Sequence, residues 1–292
     1  MVYIVVRIEE DMDFGCEERH ADSRVMAVAV LRDEEGKERV IRYPDRELYE
    51  LDINEGDRIR IGSDGRICKE TGNKTKILIT AFEPFGGDDK NASLETMNAL
   101  DVPADCSLIK LAVPVVFRKA ADIVNGAIDR EDPDAVICLG QAGGRSCISL
   151  EKTAVNLCDT KNADNEGNAP CMEPVVINGP ESYRSTLPDE RMLEALSRAG
   201  ISAELSDSAG TYVCNSLMYG VLHYLEQTGR SIPAGFIHVP YYREQADDKP
   251  SGTPFMELKD LTRGIGICIE CVKERTGHTK KIKKTGTEGP CG

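Results

Sequence analysis

Two stretches of this 292-residue chain carry side chains whose types and spacing could do chemistry together. In Ser208-Ala-Gly-Thr-Tyr-Val-Cys-Asn-Ser-Leu-Met-Tyr-Gly220, Gly210 ends an extended run and Thr211 is placed to cap a helix. Tyr212, Leu217, Val221, Leu222 and Tyr224 then recur at helical spacing until Gln227-Thr-Gly-Arg230 breaks the pattern. A Thr211 cap puts Cys214 at the third helical position, where unpaired backbone N–H groups and the helix dipole favour negative charge. Such a site lowers a thiol pKa from about 8.5 towards neutrality, and the thiolate is the nucleophile. On position alone, however, a cysteine in an apolar helix is more often core packing. The second stretch is Ala234-Gly-Phe-Ile-His-Val-Pro-Tyr241, a short buried strand stopped by Pro240. It puts His238 near a strand's carboxyl end, where open α/β sheets place their ligands. A lone histidine there would be read as a hydrogen-bonded core residue. A thiol at a helix start followed by a histidine at a strand end is instead the pattern of a Cys–His pair.

The elements that must position this pair begin at Lys76, where strands alternate with helices. Ile77-Leu-Ile-Thr-Ala81 and Ala135-Val-Ile-Cys-Leu139 read as buried strands, with a further strand over 108–115 and helices over 93–100 and 117–129. Residues 147–151 alternate, with Ile148 and Leu150 on one face and Glu151 at the polar end. A helix after Pro188, a strand near 203–205, the Cys214 helix, the His238 strand and a terminal helix from about Thr253 complete the series. That order predicts an α/β layered fold with a mainly parallel, mixed sheet. Residues 1–72 differ. Strands over 3–8, 25–31 and 38–43, with an alternating pattern at Ile59 and Ile61 between Gly-Asp and Asp-Gly turns, predict a small all-β barrel or roll without helix. The expected division is therefore a β unit over 1–72, a linker over 69–74, an α/β unit over 75–275 and a basic, solvated tail over 276–292 that contains Lys280-Lys-Ile-Lys-Lys284.

Composition narrows the function classes. A net charge of −14 argues against nucleic acid or an anionic membrane as the main partner. No apolar run approaches the roughly 18 residues that span a bilayer. Met1-Val-Tyr-Ile-Val-Val-Arg7 is too short for a secretory signal, so a cytoplasmic protein is expected. The eleven cysteines lack framework spacing, which suggests reduced thiols. Only Cys268-Ile-Glu-Cys271 has metal-like spacing, with His278 and Cys291 beyond, and it falls in an apolar helical run that favours packing over zinc. Tyr3, Phe14, Tyr43 and Tyr49 are too few and scattered to form a base-stacking surface in the β unit.

The loop Gly140-Gln-Ala-Gly-Gly144 follows a strand, yet no Gly-Lys-Ser/Thr succeeds it. A turn, or a backbone wall for a small substrate, suits it better than a phosphate loop, though Arg145 keeps phosphate open. Five separated blocks then resemble those of the pyroglutamyl peptidase I family of cysteine peptidases. They are Thr80-Ala-Phe-Glu-Pro-Phe-Gly-Gly87 with Asn91; Val113-Pro-Val-Val-Phe117; Gly140 to Arg145 with Glu151 and Asn156; Asp164-Asn-Glu-Gly167 with the Cys214 stretch; and the His238 stretch with Glu244-Gln245. The resemblance spans about 76–245 and implies an α/β/α sandwich that hydrolyses N-terminal pyroglutamate from peptides through a thioester. It implies Cys214 as nucleophile, His238 as base and then acid, and Glu151 as the carboxylate that orients His238. Phe82 and Phe85 would hold the flat lactam ring and Gln141 its amide edge, with Asn91 and Lys161 also at the substrate. It implies no metal or organic cofactor, and assembly as a homo-oligomer, tetramer or dimer. One departure stands out: the family usually has Arg-(apolar)-Pro where this chain has Lys161-Asn162-Ala163, and Lys keeps the charge without the planar fork. A related thiol amidase for another cyclic or blocked N-terminus, a binding or regulatory protein working through its β unit, and a nucleoside-phosphorylase-like protein remain the alternatives.

Overall fold

The structure is a computed structural model; it describes residues 2–10, 25–33, 35–62, 65–69, 74–103 and 106–285, with the side chains of Glu10 and 277–285 left aside. Phe14, Cys16, most of the expected linker, Cys291 and the side chains of His278 and Lys280–Lys284 lie outside the described residues. The chain divides into two compact units, Met1–Lys74 and Thr75–Gly292.

In the first unit, β1 (Val2–Glu10), β2 (Met26–Asp33), β3 (Glu38–Pro44), β4 (Arg58–Ile61) and β5 (Ile67–Lys69) form one antiparallel sheet in the order β3-β2-β1-β4-β5. Alternate residues Tyr3, Val5, Ala27, Ala29, Leu31 and Ile59 gather on one face into a small core. The expectation of a helix-free β barrel or roll is corrected in its lack of helix and in the barrel. Helix α1 (Asp45–Glu50) interrupts the strands, and among the described residues β3 and β5 are paired on one side only, so that this sheet is open. Pro44 stands at the N-cap with its φ of −58° suited to entry, Asp45 and Glu47 fill the first turn, and only Leu48 is buried. One buried residue gives no periodicity to read.

The second unit contains β6 (Thr75–Phe82), α2 (Ala92–Asn98), β7 (Cys106–Val113), α3 (Lys119–Glu131), β8 (Ala135–Gln141), β9 (Ile148–Glu151), β10 (Thr153–Val155) and β11 (Ser182–Arg184). It continues with α4 (Asp189–Arg198), β12 (Ala203–Ser206), α5 (Val213–Gln227), β13 (Ala234–Val239), β14 (Tyr241–Tyr242), α6 (Arg243–Ala246), β15 (Phe255–Met256) and α7 (Leu258–Thr285). Its main sheet runs β12-β9-β13-β8-β6-β7, and four of its five pairings are parallel. The mixed, mostly parallel α/β sheet is as expected. The terminal helix starts at Leu258 rather than near Thr253, because Phe255 and Met256 pair with Tyr241 and Tyr242. As backbone it continues to Thr285, into the segment expected to be a solvated tail.

Strands β6, β7, β8 and β13 are apolar on both faces because helices cover both. Ile77, Ile79, Ala81, Ala135, Ile137, Leu139, Ile148, Leu150, Ile237 and Val239 face one core with residues of α2, α4 and α7. Leu78, Phe82, Val136, Cys138, Ala234 and Phe236 face the other, with residues of α3 and α5. Period-two alternation therefore turns Glu151 at the end of β9 and His238 near the end of β13 towards the α5 side. Cys268 and Cys271 are packing residues of α7, buried in the first core.

Candidate active site

His238 Nδ1 lies 2.7 Å from Glu151 Oε1, and both residues are buried. Antiparallel pairing sets Phe236 opposite Glu151, so the carboxyl side chain reaches the imidazole two residues along. Burial alone would raise the Glu151 carboxyl, but the hydrogen bond and charge of His238, with Arg145, outweigh it and hold the group below its ordinary value. A carboxylate only accepts, so Nδ1 carries the hydrogen and the Nε2 lone pair is left for another partner.

Cys214 reaches the same part of the sheet. His238 is paired in register with Gly140 of β8, and a Cβ added at Gly140 would stand 3.1 Å from Cys214 Sγ and 2.6 Å from the Phe236 ring. Glycine is thus required where the α5 thiol meets the sheet beside His238. Tyr212, not Thr211, is the N-cap of α5, and Cys214 is its second helical residue. The Thr211 hydroxyl instead donates to Asp159 O at 2.7 Å. The expectation that the helix start alone brings this thiol towards neutrality is also corrected. Cys214 keeps a little solvent exposure, yet the protein packed round it and the Glu151 charge push its thiol up to about 12, and its own backbone N–H and Arg145 only partly offset them. Cys138, buried under the same face, is likewise pushed up to about 12 by burial, and its side-chain partner is Thr80 rather than a base.

The residues expected around a substrate are placed as follows. Phe82 ends β6, almost fully buried, its ring centroid 6.4 Å from that of Phe236; Phe85 is half-buried against the same core. Gln141 Oε1 accepts from Ala92 N at 2.7 Å and from Gln245 Nε2 at 2.8 Å. The carbonyl end of Gln141 is therefore used, and its NH₂ group is what remains to meet a ligand. Asn91 is wholly buried, and its amide is spent on the fold. Its Oδ1 caps α2 through Ser93 N (3.0 Å) and Ser93 Oγ (2.8 Å), and its Nδ2 donates to Glu83 O (3.1 Å). Asn91 thereby fixes the helix start from which Ala92 N holds Gln141.

Lys161 is exposed and makes no hydrogen bond or ion pair among the described residues. The loop it precedes is firmly tied. Asp164 accepts from Phe117 N, Glu166 N and Asn168 N at 2.8–2.9 Å, Asn165 donates to Val115 O and Pro84 O, and Tyr212 donates to Ala163 O. The separated blocks at 80–87, 113–117 and 164–167 are thus stitched together beside the start of α5.

Neither Arg145 nor Gln245 was expected to bond the residues of this site, and Arg145 had been weighed only for phosphate. Arg145 Nη1 donates to Glu151 Oε1 at 2.7 Å, which spends on a carboxylate the cation that had left a phosphate loop open. Glu151 also tops a strand pairing that no local periodicity announces; the resemblance alone pointed to it. A cavity of about 550 Å³ opens by Asp134 and Pro233, at the opposite end of β8 and β13 from Gly140 and His238.

A mostly parallel α/β sheet with a thiol at a helix start, beside a histidine bonded to a buried carboxylate, defines a thiol-hydrolase class of site. The family model described as pyroglutamyl peptidase matches residues 75–275, and the chain belongs to that family. Among its relatives, the pyrrolidone-carboxylate peptidase of Alkaliphilus oremlandii is 43% identical over 206 residues, covering 70% of this chain and 96% of that protein. That of Streptococcus pyogenes serotype M3 is 44% identical over 195 residues, covering 66% and 90%. Among solved structures, pyroglutamyl peptidase I of Bacillus amyloliquefaciens superposes with a TM-score of 0.66 at 38% identity, covering 68% of this chain and 95% of that one.

Proposed function

We infer that this chain is a cysteine peptidase that removes an N-terminal pyroglutamyl residue from peptides. The observation that carries the reading is the convergence, on the α5 face of one sheet, of Cys214 and a His238 already bonded to Glu151. The buried thiol needs a base, and His238 is next to it. His238 Nε2 takes the Cys214 proton, and the thiolate attacks the pyroglutamyl carbonyl. The unpaired backbone N–H groups at the start of α5 donate hydrogen bonds to the oxyanion. The imidazolium gives its proton to the leaving amine, and water then cleaves the thioester with His238 as base again. Glu151 stays ionised and orients the ring.

Phe82 and Phe85 hold the planar lactam, and the Gln141 NH₂ group donates to its carbonyl. Lys161 approaches the substrate or the oxyanion from its loop. The reading uses no metal or organic cofactor. It includes an α/β/α sandwich as the catalytic unit, a separate N-terminal unit that contributes no catalytic group, assembly as a dimer or tetramer, and work in the cytoplasm. No helix among the described residues is long and apolar enough to cross a membrane. Family membership does not favour the other amidase or the purely binding protein.

Release of aminocoumarin from pyroglutamyl, prolyl and glutaminyl conjugates tests the reading. Turnover confined to the pyroglutamyl conjugate and lost in Cys214→Ala is expected. Preference for another conjugate would move the chain to a different amidase specificity.

A further inference from the structure

The steps above leave one buried-site cation without a role. Arg145 follows the turn after β8, and its Nη1 donates to Glu151 Oε1 at 2.7 Å. His238 Nδ1 uses the same oxygen, also at 2.7 Å. The Arg145 side chain is 31% exposed while that of Glu151 is 0% exposed, so a partly solvated guanidinium bonds a fully buried carboxylate. The carboxylate is thus held between a fixed cation on one side and the imidazole on the other.

We propose that Arg145 is a positioning residue of the thiol–imidazole pair: its guanidinium pins Glu151 against His238, and its charge sets the pH range over which Cys214 and His238 work. The role rests on the thiol-peptidase reading above. The charged and titratable groups around it are Glu151 on β9, His238 on β13, Cys214 on α5 and Cys147 on its own segment. Beyond them, Glu204 of β12 faces Cys147 and accepts from Ser149 Oγ at 2.9 Å. The sign follows from charge. A fixed cation favours loss of a proton from Glu151 and Cys214, so its removal makes both hold protons to higher pH. The carboxylate then protonates earlier on acidification, and the Cys214 thiol gives up its proton later on the way up. Both effects move the acid limb of activity in the same direction.

The test compares wild type with Arg145→Gln, Arg145→Met and Arg145→Lys, each checked for folding by circular dichroism. Two pH profiles are measured, kcat/KM on a pyroglutamyl aminocoumarin and the rate of Cys214 alkylation by iodoacetamide. In the uncharged variants the acid limb of both should rise by about one pH unit, so that kcat/KM falls roughly tenfold on that limb. Arg145→Lys, which keeps the charge, should remain within about half a unit of wild type. Arg145→Met serves as the second uncharged variant should Arg145→Gln fold poorly. Profiles that drop in height but do not move along the pH axis would overturn the proposal, since a purely structural loss has no reason to shift them. The alkylation profile needs no substrate. Absent pyroglutamyl turnover in wild type therefore counts against the peptidase reading, and an unmoved alkylation profile counts against Arg145.

Discussion

A thiol that burial and the Glu151 charge push up to about 12 does not ionise by itself near neutral pH, so the chemistry depends on the imidazole beside it. His238→Ala should therefore leave Cys214 alkylated by iodoacetamide only as pH climbs well into the alkaline range. Wild type should react near neutral pH. Rapid neutral alkylation in His238→Ala would mean that the helix start suffices and the pair is unnecessary. Lys161 carries a second expectation at this scale. If it reaches substrate or oxyanion, Lys161→Arg should raise kcat/KM for pyroglutamyl substrates and Lys161→Ala should lower it about tenfold, roughly 1.4 kcal/mol. Unchanged kinetics in both variants would place this loop outside the site. Cys214 and His238 were legible because helix starts and strand ends leave marks in a sequence. The Arg145–Glu151 contact was not, because it joins a turn to a strand end with no repeating pattern. The fate of the Cys214 proton was also illegible. Position in a helix is local, but desolvation is set by everything packed round the sulfur.

Elements act on the site through their ends. Asn91 caps α2, links to Phe82 N through the Ser93 hydroxyl, and so joins the end of β6 to the helix whose first N–H holds Gln141. Asn91→Ala should cost about 1–3 kcal/mol, because the cap is lost and buried donors and acceptors are left unpaired. Urea denaturation measures that loss. If the chain from Asn91 to Gln141 matters, KM for pyroglutamyl substrates should rise in the same variant while kcat changes less. Unchanged stability would show that the cap is redundant. The strands and helices of the second unit were readable from their periodicity, since β6, β7, β8 and β13 each face two apolar cores and β9 alternates. The short pieces were not. Helix α1 buries one leucine, and the β10–β11 ladder and the β14–β15 pair are two or three residues long, below the length at which alternation becomes a pattern.

At the scale of the whole chain, every residue with proposed chemistry falls after Thr75, and the family match covers 75–275. The first unit has its own apolar core and its own sheet. A chain beginning near residue 73 should therefore fold and keep most of its activity on small pyroglutamyl substrates. Size-exclusion chromatography and kinetics check this, and an insoluble or inactive product would show that the two units depend on each other. The sequence suggested a division at 69–74 because the pattern changes there from hairpin turns to alternating strand and helix. It carried no motif that reveals what the first unit does. The measurement closest to the chemistry is mass spectrometry of the enzyme acid-quenched during turnover of a pyroglutamyl substrate. The thioester mechanism predicts a pyroglutamyl acyl group on the peptide that contains Cys214, absent after Cys214→Ala, with turnover lost in that variant. Full turnover by Cys214→Ala, or an acyl group carried by another cysteine such as Cys138 or Cys147, would contradict it.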